Sequence, residues 1–586
     1  MVVEETRETW VRVGKREDGL LERGRSRNKI FKDRMEENYE YEDTAYVGGE
    51  TIAVGNVVYD EAQLTRQQEA LKDPSKGTSI PDAVKDFILY FQQCLHDGNV
   101  YELLVCYESS FNKLTEKFYK NSAWPAPETV APVVGHDETF LIFYTEVYYR
   151  HLYATVQPTL KDHVGSYNNY CNLFNFILNT ANGPTEIELP TYWAWDIIDE
   201  FIYQFNNFSV YRNRVIKKNS NAKEVAELKE HPDIWGAYSV LNVLYSLAGK
   251  ANMSEQLKAI KNSQDPVSVA GEFGTKPLYK MLGYFSIIGL LRVHTLLGDF
   301  ALALKTMEDI QLNKKALFAR VAAAHFTTYY YVGFSYLMLR RYADAIKAFS
   351  HVLLFISRTK NINRSAQFDD VTKKSEQMYA LLAMCVTLSP TRLDDVIHTG
   401  LREKYGDQLA RMRRGGPEAF KVFEELFLFG APKFISPSSP DFENPSLNVD
   451  PIQHHLKIFM IDVQNSTLGS TLKSYLNLYA TMDINKLAGF LETDVEALRS
   501  ALVSFKMKNR QIKWSEGELL QGQGTNLSDI DIALENNLIH IAETKGGRKF
   551  ADWFIRNTAK NFSVQDFIAN PERQEENRSR KQQLKK

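Results

Sequence analysis

The stretch that decides the fold is YYYVGFSYLMLRRYADAIKAF, residues 329–349. Apolar residues recur along it at the three- and four-residue spacing of an α-helix, and a pair of arginines interrupts the run once. Gly333 and Ala345 are small enough to let two helices approach closely. The larger Tyr336 and Phe349 would then fill the groove between them. The stretch therefore predicts two helices packed against each other.

The segment GDFALAL (298–304) repeats part of this pattern one unit earlier in the chain. It carries a Gly-Asp-aromatic turn and places Ala303 where the later unit has Ala345. These offsets are those of tetratricopeptide-like helix pairs, although regular repeats are about 34 residues long and these units are 42 residues apart. Because one unit cannot bury its apolar face alone, we expect the units to stack into an irregular right-handed solenoid.

Helical periodicity extends over most of the chain on both sides of these units. It begins in DAVKDFILYFQQCL (82–95) and continues through aromatic segments such as TYWAWDIIDEFIYQFNNF (191–208). The segment PEAFKVFEELFLFG (417–430) opens with proline and closes with glycine, which are the residues that favour helix starts and stops. Little of the sequence before residue 525 alternates with the period of two that indicates strands. We therefore expect a mainly α-helical fold.

The C-terminal part has a different order of elements. We predict helices at 471–482 and 484–491, and a third helix opened by Thr493 and Glu496, which have the spacing of a capping box. Two short strands, SDIDIAL and LIHIAET, follow and are joined by Glu-Asn-Asn. Three helices followed by a hairpin predict a winged-helix domain.

Composition shifts divide the chain into seven predicted regions. The two ends are charged and contain too few apolar residues to offset chain entropy, so we expect disorder there. The regions are a charged extension at 1–78, an N-terminal helical region at 79–270, tetratricopeptide-like repeats at 271–430, a proline-rich connector at 431–450, the winged-helix part at 451–545, C-terminal helices at 546–570 and a charged tail at 571–586.

Charge and composition argue against several classes of protein. Seventy Lys and Arg residues balance 73 Asp and Glu, so the chain lacks the basic excess of a dominant nucleic-acid footprint. The four cysteines form no C-x-x-C pair, which disfavours zinc and disulfide frameworks. The N-terminus lacks a signal-peptide core, and the apolar run at 282–291 ends at Arg292, short of the about 20 residues that span a bilayer. We expect a reduced, cytosolic or nuclear protein.

The sequence contains no strong catalytic or cofactor motif. Phosphate-loop and H-E-x-x-H patterns are absent, and the neighbouring His454 and His455 would point about 100° apart on a helix, too far to share a metal. Asp196, Asp199 and Glu200 share one helical face, an arrangement that general acid–base catalysis could use. We favour instead a solvated stripe, or partners for basic residues of a neighbouring helix. We expect no enzymatic activity, no cofactor and no metal.

Lys506, Lys508, Arg510 and Lys513 form a basic cluster at the end of the third winged-helix helix. In nucleic-acid-binding domains such clusters contact phosphates. The central exposed positions of this helix are acidic or small, without the arginine and asparagine that contact base edges. We favour protein contact for this domain and keep weak RNA contact by the four basic residues as the alternative.

A helical solenoid followed by a winged helix and terminal helices is the layout of the PCI module. More specifically, the chain resembles the subunit L family of eukaryotic translation initiation factor 3 from about residue 80 to residue 570. The most specific blocks are LTEKFY (114–119), WPAPETVAPVVGHDETFLIFYTEVYYRHLYA (124–154), SYNNYCNLFNFILN (166–179), WAWDIIDEFIYQFNNFSVYR (193–212), GYFSIIGLLRVHTLLGDFALAL (283–304), HFTTYYYVGFSYLMLRRYADAIKAF (325–349) and SYLNLYATMDINKLAGFL (474–491).

This resemblance implies a non-catalytic scaffold subunit that supports assembly of the 43S and 48S pre-initiation complexes on the 40S ribosomal subunit, in the cytoplasm. It also implies contacts with other subunits of the factor, notably K and E, through aligned winged helices and a shared bundle of C-terminal helices. The alternatives are a PCI subunit of another assembly, of the proteasome-lid or COP9-signalosome type, and a winged-helix RNA-binding protein acting alone.

Apolar residues late in the chain suit a role in assembly. The second hairpin strand offers an edge for strand addition by a neighbour. The terminal helices carry aromatic side chains whose burial stabilises an interface by about 1.5–3 kcal/mol each, unless they fold back on the chain's own winged helix. The candidate protein-interface residues are Leu538, Ile539, Ile541, Phe550, Trp553, Phe554, Phe562 and Phe567.

Overall fold

Most of the chain is described by the computed structural model, and helices dominate it. The chain divides into two compact units, Met1–Phe87 and Ile88–Lys586. The described residues are 52–54, 57–59, 61–71, 80–180, 183–218, 222–230, 232–312, 318, 321–359, 368–438, 440–442, 448–515, 517–526, 528–543 and 546–569.

Part of the predicted N-terminal extension is folded, which differs from the expectation of disorder. Leu64 is only 2% exposed, and the backbone N–H of Ala83 donates to Oε1 of Gln67 at 3.2 Å. The other residues of 1–78, and the predicted tail at 571–586, lie outside the described residues. The elements are an antiparallel pair, β1 (Ile52–Val54) and β2 (Val57–Tyr59), followed by α1 (Glu61–Leu71).

The predicted N-terminal helical region is built around buried aromatic rings. Trp193 is fully buried, and its indole stacks on Phe91 and Tyr107 with ring centroids 5.6 and 5.1 Å apart. The high aromatic content of 191–208 is therefore explained by core packing. The helices are α2 (Asp82–His96), α3 (Val100–Val105), α4 (Phe111–Phe118), α5 (Pro127–Val130), α6 (Glu138–Thr155), α7 (Leu160–Leu178), α8 (Thr191–Lys218), α9 (Ala222–Glu230), α10 (Ala237–Lys250), α11 (Met253–Lys261) and α12 (Val267–Thr275), with a π-helical turn (Cys106–Ser110) between α3 and α4.

The central part of the chain is a solenoid-like stack in which successive helices pack against each other. This confirms the predicted mainly α-helical, solenoid-type fold. Its helices are α13 (Pro277–Leu297), α14 (Phe300–Thr306), α15 (Ala322–Met338), α16 (Tyr342–Thr359), α17 (Phe368–Leu388), α18 (Asp395–Arg414) and α19 (Pro417–Gly430).

The small residues of the two repeat units lie where the sequence predicts them. A Cβ atom on Gly333 would come within 2.6 Å of the Phe349 ring, so α15 and α16 cross at a point that only glycine allows. Ala303 and Ala345 are both fully buried. The prediction of closely packed helix pairs is confirmed.

One described helix, α13, is long and apolar enough to cross a membrane by length and composition alone. Of its most apolar window, 78% is buried against the rest of the protein. Arg292, which lies within this helix, pairs with Asp199 of α8. The helix is therefore packed as a core helix of a folded domain.

The C-terminal part forms the predicted winged helix. A three-stranded antiparallel sheet in the order β3–β7–β6 packs on three helices around a core that includes Leu476, Leu502 and Ile539. A separate hairpin joins β4 and β5, and a long terminal helix follows. The elements are α20 (Pro451–Leu476), β3 (Thr481–Asp483), α21 (Ile484–Leu491), α22 (Val495–Asn509), β4 (Arg510–Lys513), β5 (Gln523–Asn526), β6 (Ile530–Glu535), β7 (Leu538–Glu543) and α23 (Gly546–Ala569).

Two local predictions in this domain are wrong. Of the helix predicted at 471–482, residues 471–476 are the last part of α20, whereas residues 477–480 contain no helix and the next residues begin β3, in which Met482 pairs with Ile539 of β7. The predicted capping box does not form either. Asp494 is the residue that precedes α22, whereas the N–H of Thr493 donates to the carbonyl of Ala488 and so closes α21.

The predicted connector packs against the solenoid. Phe434 and Ile435 are buried, and the N–H of Ile435 donates to the carbonyl of Leu296 at 2.9 Å. The described residues of 431–450 contain no helix or strand, and 439 and 443–447 lie outside the described residues. The predicted domain boundaries at 270, 430 and 545 stay predictions.

The loop between β4 and β5 fastens the winged helix to the repeats. The guanidinium of Arg341 donates to the carbonyls of Leu519, Leu520 and Gln521 at 3.0, 2.8 and 3.2 Å. Its other side pairs with Asp344 at 2.7 Å. One arginine of the solenoid therefore contacts three successive carbonyls of the winged helix, which fixes the orientation of the two parts.

Candidate protein-interaction surfaces

The terminal helix α23 exposes an unusual amount of apolar surface. Trp553, Phe554 and Phe562 are 60%, 61% and 65% exposed. The rings of Trp553 and Phe554 touch each other edge to face, with centroids 5.1 Å apart, yet remain open to solvent. These three predicted interface residues therefore do not fold back on the chain's own winged helix. The side chains of Phe550 and Phe567 lie outside the described residues.

The predicted edge strand is the centre of its sheet. β7 pairs with β3 on one side and with β6 on the other. Ile539 is fully buried in the winged-helix core, Ile541 is partly buried against that core, and Leu538 is 48% exposed. The free edges of the sheet within the described residues are therefore β3 and β6, which the sequence alone did not distinguish from β7.

Side chains of the chain itself occupy the free edge of β6. The backbone N–H of Ile532 donates to Oδ1 of Asp531 at 2.9 Å. The carbonyl of Ile532 accepts from Nζ of Lys506 at 2.6 Å. Because the outward-facing backbone groups of a strand are what a neighbouring strand would pair with, these two side chains protect the edge at its midpoint.

The four predicted basic residues are not one continuous exposed patch. Lys506 is held at the edge of β6, and Nζ of Lys508 is buried without a hydrogen-bond partner among the described residues. Burial lowers the pKa of Lys508, while nearby Asp462 opposes that shift. Arg510 and Lys513, both on β4, are exposed. The structure thus separates the cluster into Lys506, which bonds the edge of β6, Lys508, whose Nζ is buried, and two solvent-facing residues.

The outward face of α22 carries apolar residues that the sequence analysis did not single out. Val503 and Met507, one helical turn apart, are 51% and 65% exposed. Glu496, Ser500 and Ser504 are exposed on the same helix, as predicted. Arg499 lies one turn before Val503 on the same face, and its guanidinium donates to Oδ1 of Asn537 at 2.7 Å. Exposed methionine and valine suit a protein surface. The four-residue spacing of Val503 and Met507 was the sequence signal that could have identified this apolar face.

Two of the three carboxylates on α8 pair with basic residues of neighbouring helices, whereas Glu200 accepts from Nε2 of Gln204 on its own helix at 3.4 Å. Asp199 forms an ion pair with Arg292 of α13. Asp196 accepts from Nη1 of Arg150 at 3.4 Å and from the hydroxyl of Tyr107 at 2.6 Å. These contacts are the structural arrangement that the sequence favoured over catalysis.

Burial also shifts the proton affinity of this cluster. It raises the pKa of Glu200 to about 7, with Arg150 acting in the opposite direction. It raises the pKa of Glu146 well above its usual value, and both oxygens of Glu146 are engaged, by Arg150 and by the indole N–H of Trp193. Glu146 is buried, whereas the side chains of Asp196 and Asp199 are 35% and 31% exposed and pair with Arg150 and Arg292.

No group of three or more His, Cys, Asp or Glu residues in the described part of the chain is arranged to hold a metal ion. The adjacent histidines face different surroundings. His455 packs on Phe434, with ring centroids 4.1 Å apart, whereas His454 is exposed. The two imidazole rings meet edge to face, with centroids 5.6 Å apart.

Comparison with known proteins agrees with these features. The family model described as RNA polymerase I-associated factor PAF67 matches residues 162–561. A protein of Yarrowia lipolytica named eukaryotic translation initiation factor 3 subunit L is 61% identical over 528 residues, which is 90% of this chain and 97% of the relative.

Two further relatives carry the same name. The Aspergillus niger protein is 61% identical over 406 residues, 69% of this chain and 85% of its own length. The Neurospora crassa protein is 59% identical over 418 residues, 70% of this chain and 88% of its own length. With its helical solenoid, winged helix and identity of about 60% to these relatives, the chain belongs to the family of eukaryotic translation initiation factor 3 subunit L.

Proposed function

We propose that this chain is a non-catalytic scaffold subunit of the multi-subunit translation initiation factor 3. In that role it supports 43S and 48S pre-initiation complex assembly on the 40S ribosomal subunit, in the cytoplasm, through contacts between proteins. Subunits K and E are the proposed neighbours. The names of the relatives support membership in the factor, and the neighbours follow from the family resemblance.

The observation that carries the proposal is the exposed aromatic surface of α23. Trp553, Phe554 and Phe562 are exposed to water. Burial of each against a partner would stabilise the complex by about 1.5–3 kcal/mol. Exposed apolar patches of this kind mark sites of protein association. Both oxygens of the buried Glu146 are engaged, by Arg150 and by the indole N–H of Trp193, which supports a structural role for this carboxylate.

The proposal is tested by a chain that ends at residue 545. The shortened chain and the full chain carry the same tag and are expressed and purified in parallel. The shortened chain should recover at least about tenfold less of subunits K and E than the full chain, as measured by quantitative mass spectrometry. Its helical circular dichroism should keep the solenoid signal, because α23 packs little on the rest of the chain. Normal recovery of the other subunits by the shortened chain would refute the proposal.

Weak RNA contact remains a second candidate function, supported by the exposure of Arg510 and Lys513. Its test is the Arg510→Glu, Lys513→Glu double variant of the full chain. If the two residues contact phosphates, binding to a single-stranded RNA should weaken and the slope of log affinity against log salt should fall by roughly 1.4. An unchanged salt dependence would remove this candidate.

A further inference from the structure

The terminal helix α23 presents two separate apolar stripes. Stripe A consists of Trp553, Phe554, Val564 and Ile568, and stripe B consists of Ile555 and Phe562; all six side chains are exposed. At 3.6 residues per turn the centres of the two stripes lie about 145° apart. A helix that packs on one neighbour buries a stripe about 100° wide, so one neighbour cannot cover both stripes.

The middle of stripe A is interrupted by two asparagines. Asn557 follows Phe554 by three positions, and Asn561 precedes Val564 by three, so both amides lie on the line that joins the two apolar ends of the stripe. Asn557 is partly buried and Asn561 is exposed, and neither forms a hydrogen bond with another described residue. A partner helix that covers stripe A would enclose both amides.

Enclosed amides restrict what the partner can be. A buried amide left without a hydrogen bond weakens association by about five- to 150-fold, so the partner must present a polar group opposite the asparagines. A polar residue in an otherwise apolar helical seam is also what fixes register between paired helices. One axial register between stripe A and its neighbour is therefore favourable, and registers shifted by one helical turn are unfavourable.

Two basic residues beside stripe A indicate the charge that the partner helix carries on its flank. Arg556 and Lys560 lie one turn apart beside stripe A, on the side of Trp553, and both are exposed without an ion pair to a described residue. Residues at this position of a paired helix contact the flank of the neighbouring helix. Carboxylates on that flank complement the two cations.

We infer that Asn557 and Asn561 set the register in which stripe A docks on an amphipathic helix of a neighbouring subunit. That helix carries a polar residue opposite the asparagines and acidic residues facing Arg556 and Lys560. The inference rests on the proposed function, because it requires α23 to be an assembly surface, and it adds the chemistry of the partner and the device that aligns it.

The experiment uses the full chain with Asn557→Leu and Asn561→Leu together. Wild-type and variant chains with different tags are co-expressed, and their shares in the purified factor are compared by mass spectrometry. The variant should incorporate about five-fold less well or worse, since the partner's polar group loses its hydrogen bond. It should also self-associate in sedimentation velocity, because stripe A becomes uninterrupted. The matched control is Ser563→Leu, on the polar side of α23 away from both stripes, which should behave as wild type.

The outcomes separate the inference from the proposed function. If the double asparagine variant incorporates equally well and stays as monomeric as wild type, register control by the asparagines is wrong while assembly through α23 still stands. A Phe554→Ala, Ile568→Ala variant removes the apolar ends of stripe A and should be excluded from the factor. Normal incorporation of that variant would show that stripe A is not an interface, which overturns the inference, while the proposed function is overturned only if the chain that ends at residue 545 also recovers the other subunits normally.

Discussion

The carboxylate of Asp344 accepts the backbone N–H of Trp514 at 3.0 and 3.1 Å from its two oxygens. Asp344 lies on α16 of the repeats, and Trp514 begins the loop between β4 and β5. The same carboxylate pairs with Arg341, and Nζ of Lys347 lies 4.7 Å from the centroid of the Trp514 ring. Solenoid and winged helix are thus joined by a buried, charge-assisted contact that presents them to partners in one orientation.

Replacing Arg341 with methionine should loosen this junction. Asp344 would remain buried without its cation, so we expect the free energy of unfolding to fall by about 3 kcal/mol. Hydrogen exchange at the amide of Trp514 should rise in the same variant. The control is Lys404→Met, which removes an exposed pair with Glu376 and should cost less than about 1 kcal/mol. Equal effects of the two changes would contradict the role given to Arg341.

Gly333→Ala should destabilise the crossing of α15 and α16. The added methyl group would lie 2.6 Å from the Phe349 ring, and relief of such overpacking typically costs about 1–3 kcal/mol. Gly249→Ala is the matched control, because no atom lies within 4 Å of its added Cβ and alanine favours a helix by up to about 1 kcal/mol. Denaturant unfolding of both variants checks the prediction, which fails if Gly333→Ala is neutral.

His325→Phe should reduce the loss of stability in acid. Burial, with a smaller contribution from neighbouring His351, lowers the pKa of His325 to about 4. Between pH 6.5 and 4 the unfolded chain therefore binds more protons than the native chain, and the unfolding free energy of wild type falls as pH falls, by up to about 1.4 kcal/mol per pH unit from this residue. Phenylalanine fits between Phe318 and Phe355 and cannot be protonated.

The measurement for His325→Phe is denaturant unfolding at pH 7.5, 5.5 and 4.5. The gap in stability between variant and wild type should shift in favour of the variant as the pH falls. Other groups, such as Glu200, titrate in both proteins and cancel in the comparison. Parallel pH profiles for the two proteins would show that His325 does not contribute.

Removing the side chains that cover β6 should expose a strand edge. In the Lys506→Met, Asp531→Ala variant the N–H and carbonyl of Ile532 lose their partners, and an unprotected edge pairs with other chains. We expect concentration-dependent self-association in sedimentation velocity. The control Lys513→Met removes an exposed lysine of β4 and should leave self-association unchanged. A double variant that stays monomeric would mean that β6 is protected by other means.

Fold class was predictable because it depends on local periodicity. The helix pair around Gly333 and the winged helix both follow from residues that lie close together in the sequence. The strand β3 was missed because three residues, Thr481–Asp483, carry too little pattern to be recognised without their partner. That partner, β7, lies more than 50 positions later in the chain, and its central place in the sheet was missed for the same reason.

The sequence by itself determined that the chain is a stack of helices ending in a winged helix, and it marked the apolar residues of α23. Only the tertiary structure decided which charged groups face solvent. Asp196 pairs with Arg150, which is 46 residues away in the sequence, and Asp199 pairs with Arg292, which is 93 residues away. Lys506 donates a hydrogen bond to a carbonyl at the edge of β6. Helical periodicity depends on residues that are close together in the sequence. The solvation of a charged side chain depends instead on groups from distant parts of the chain that folding places next to it.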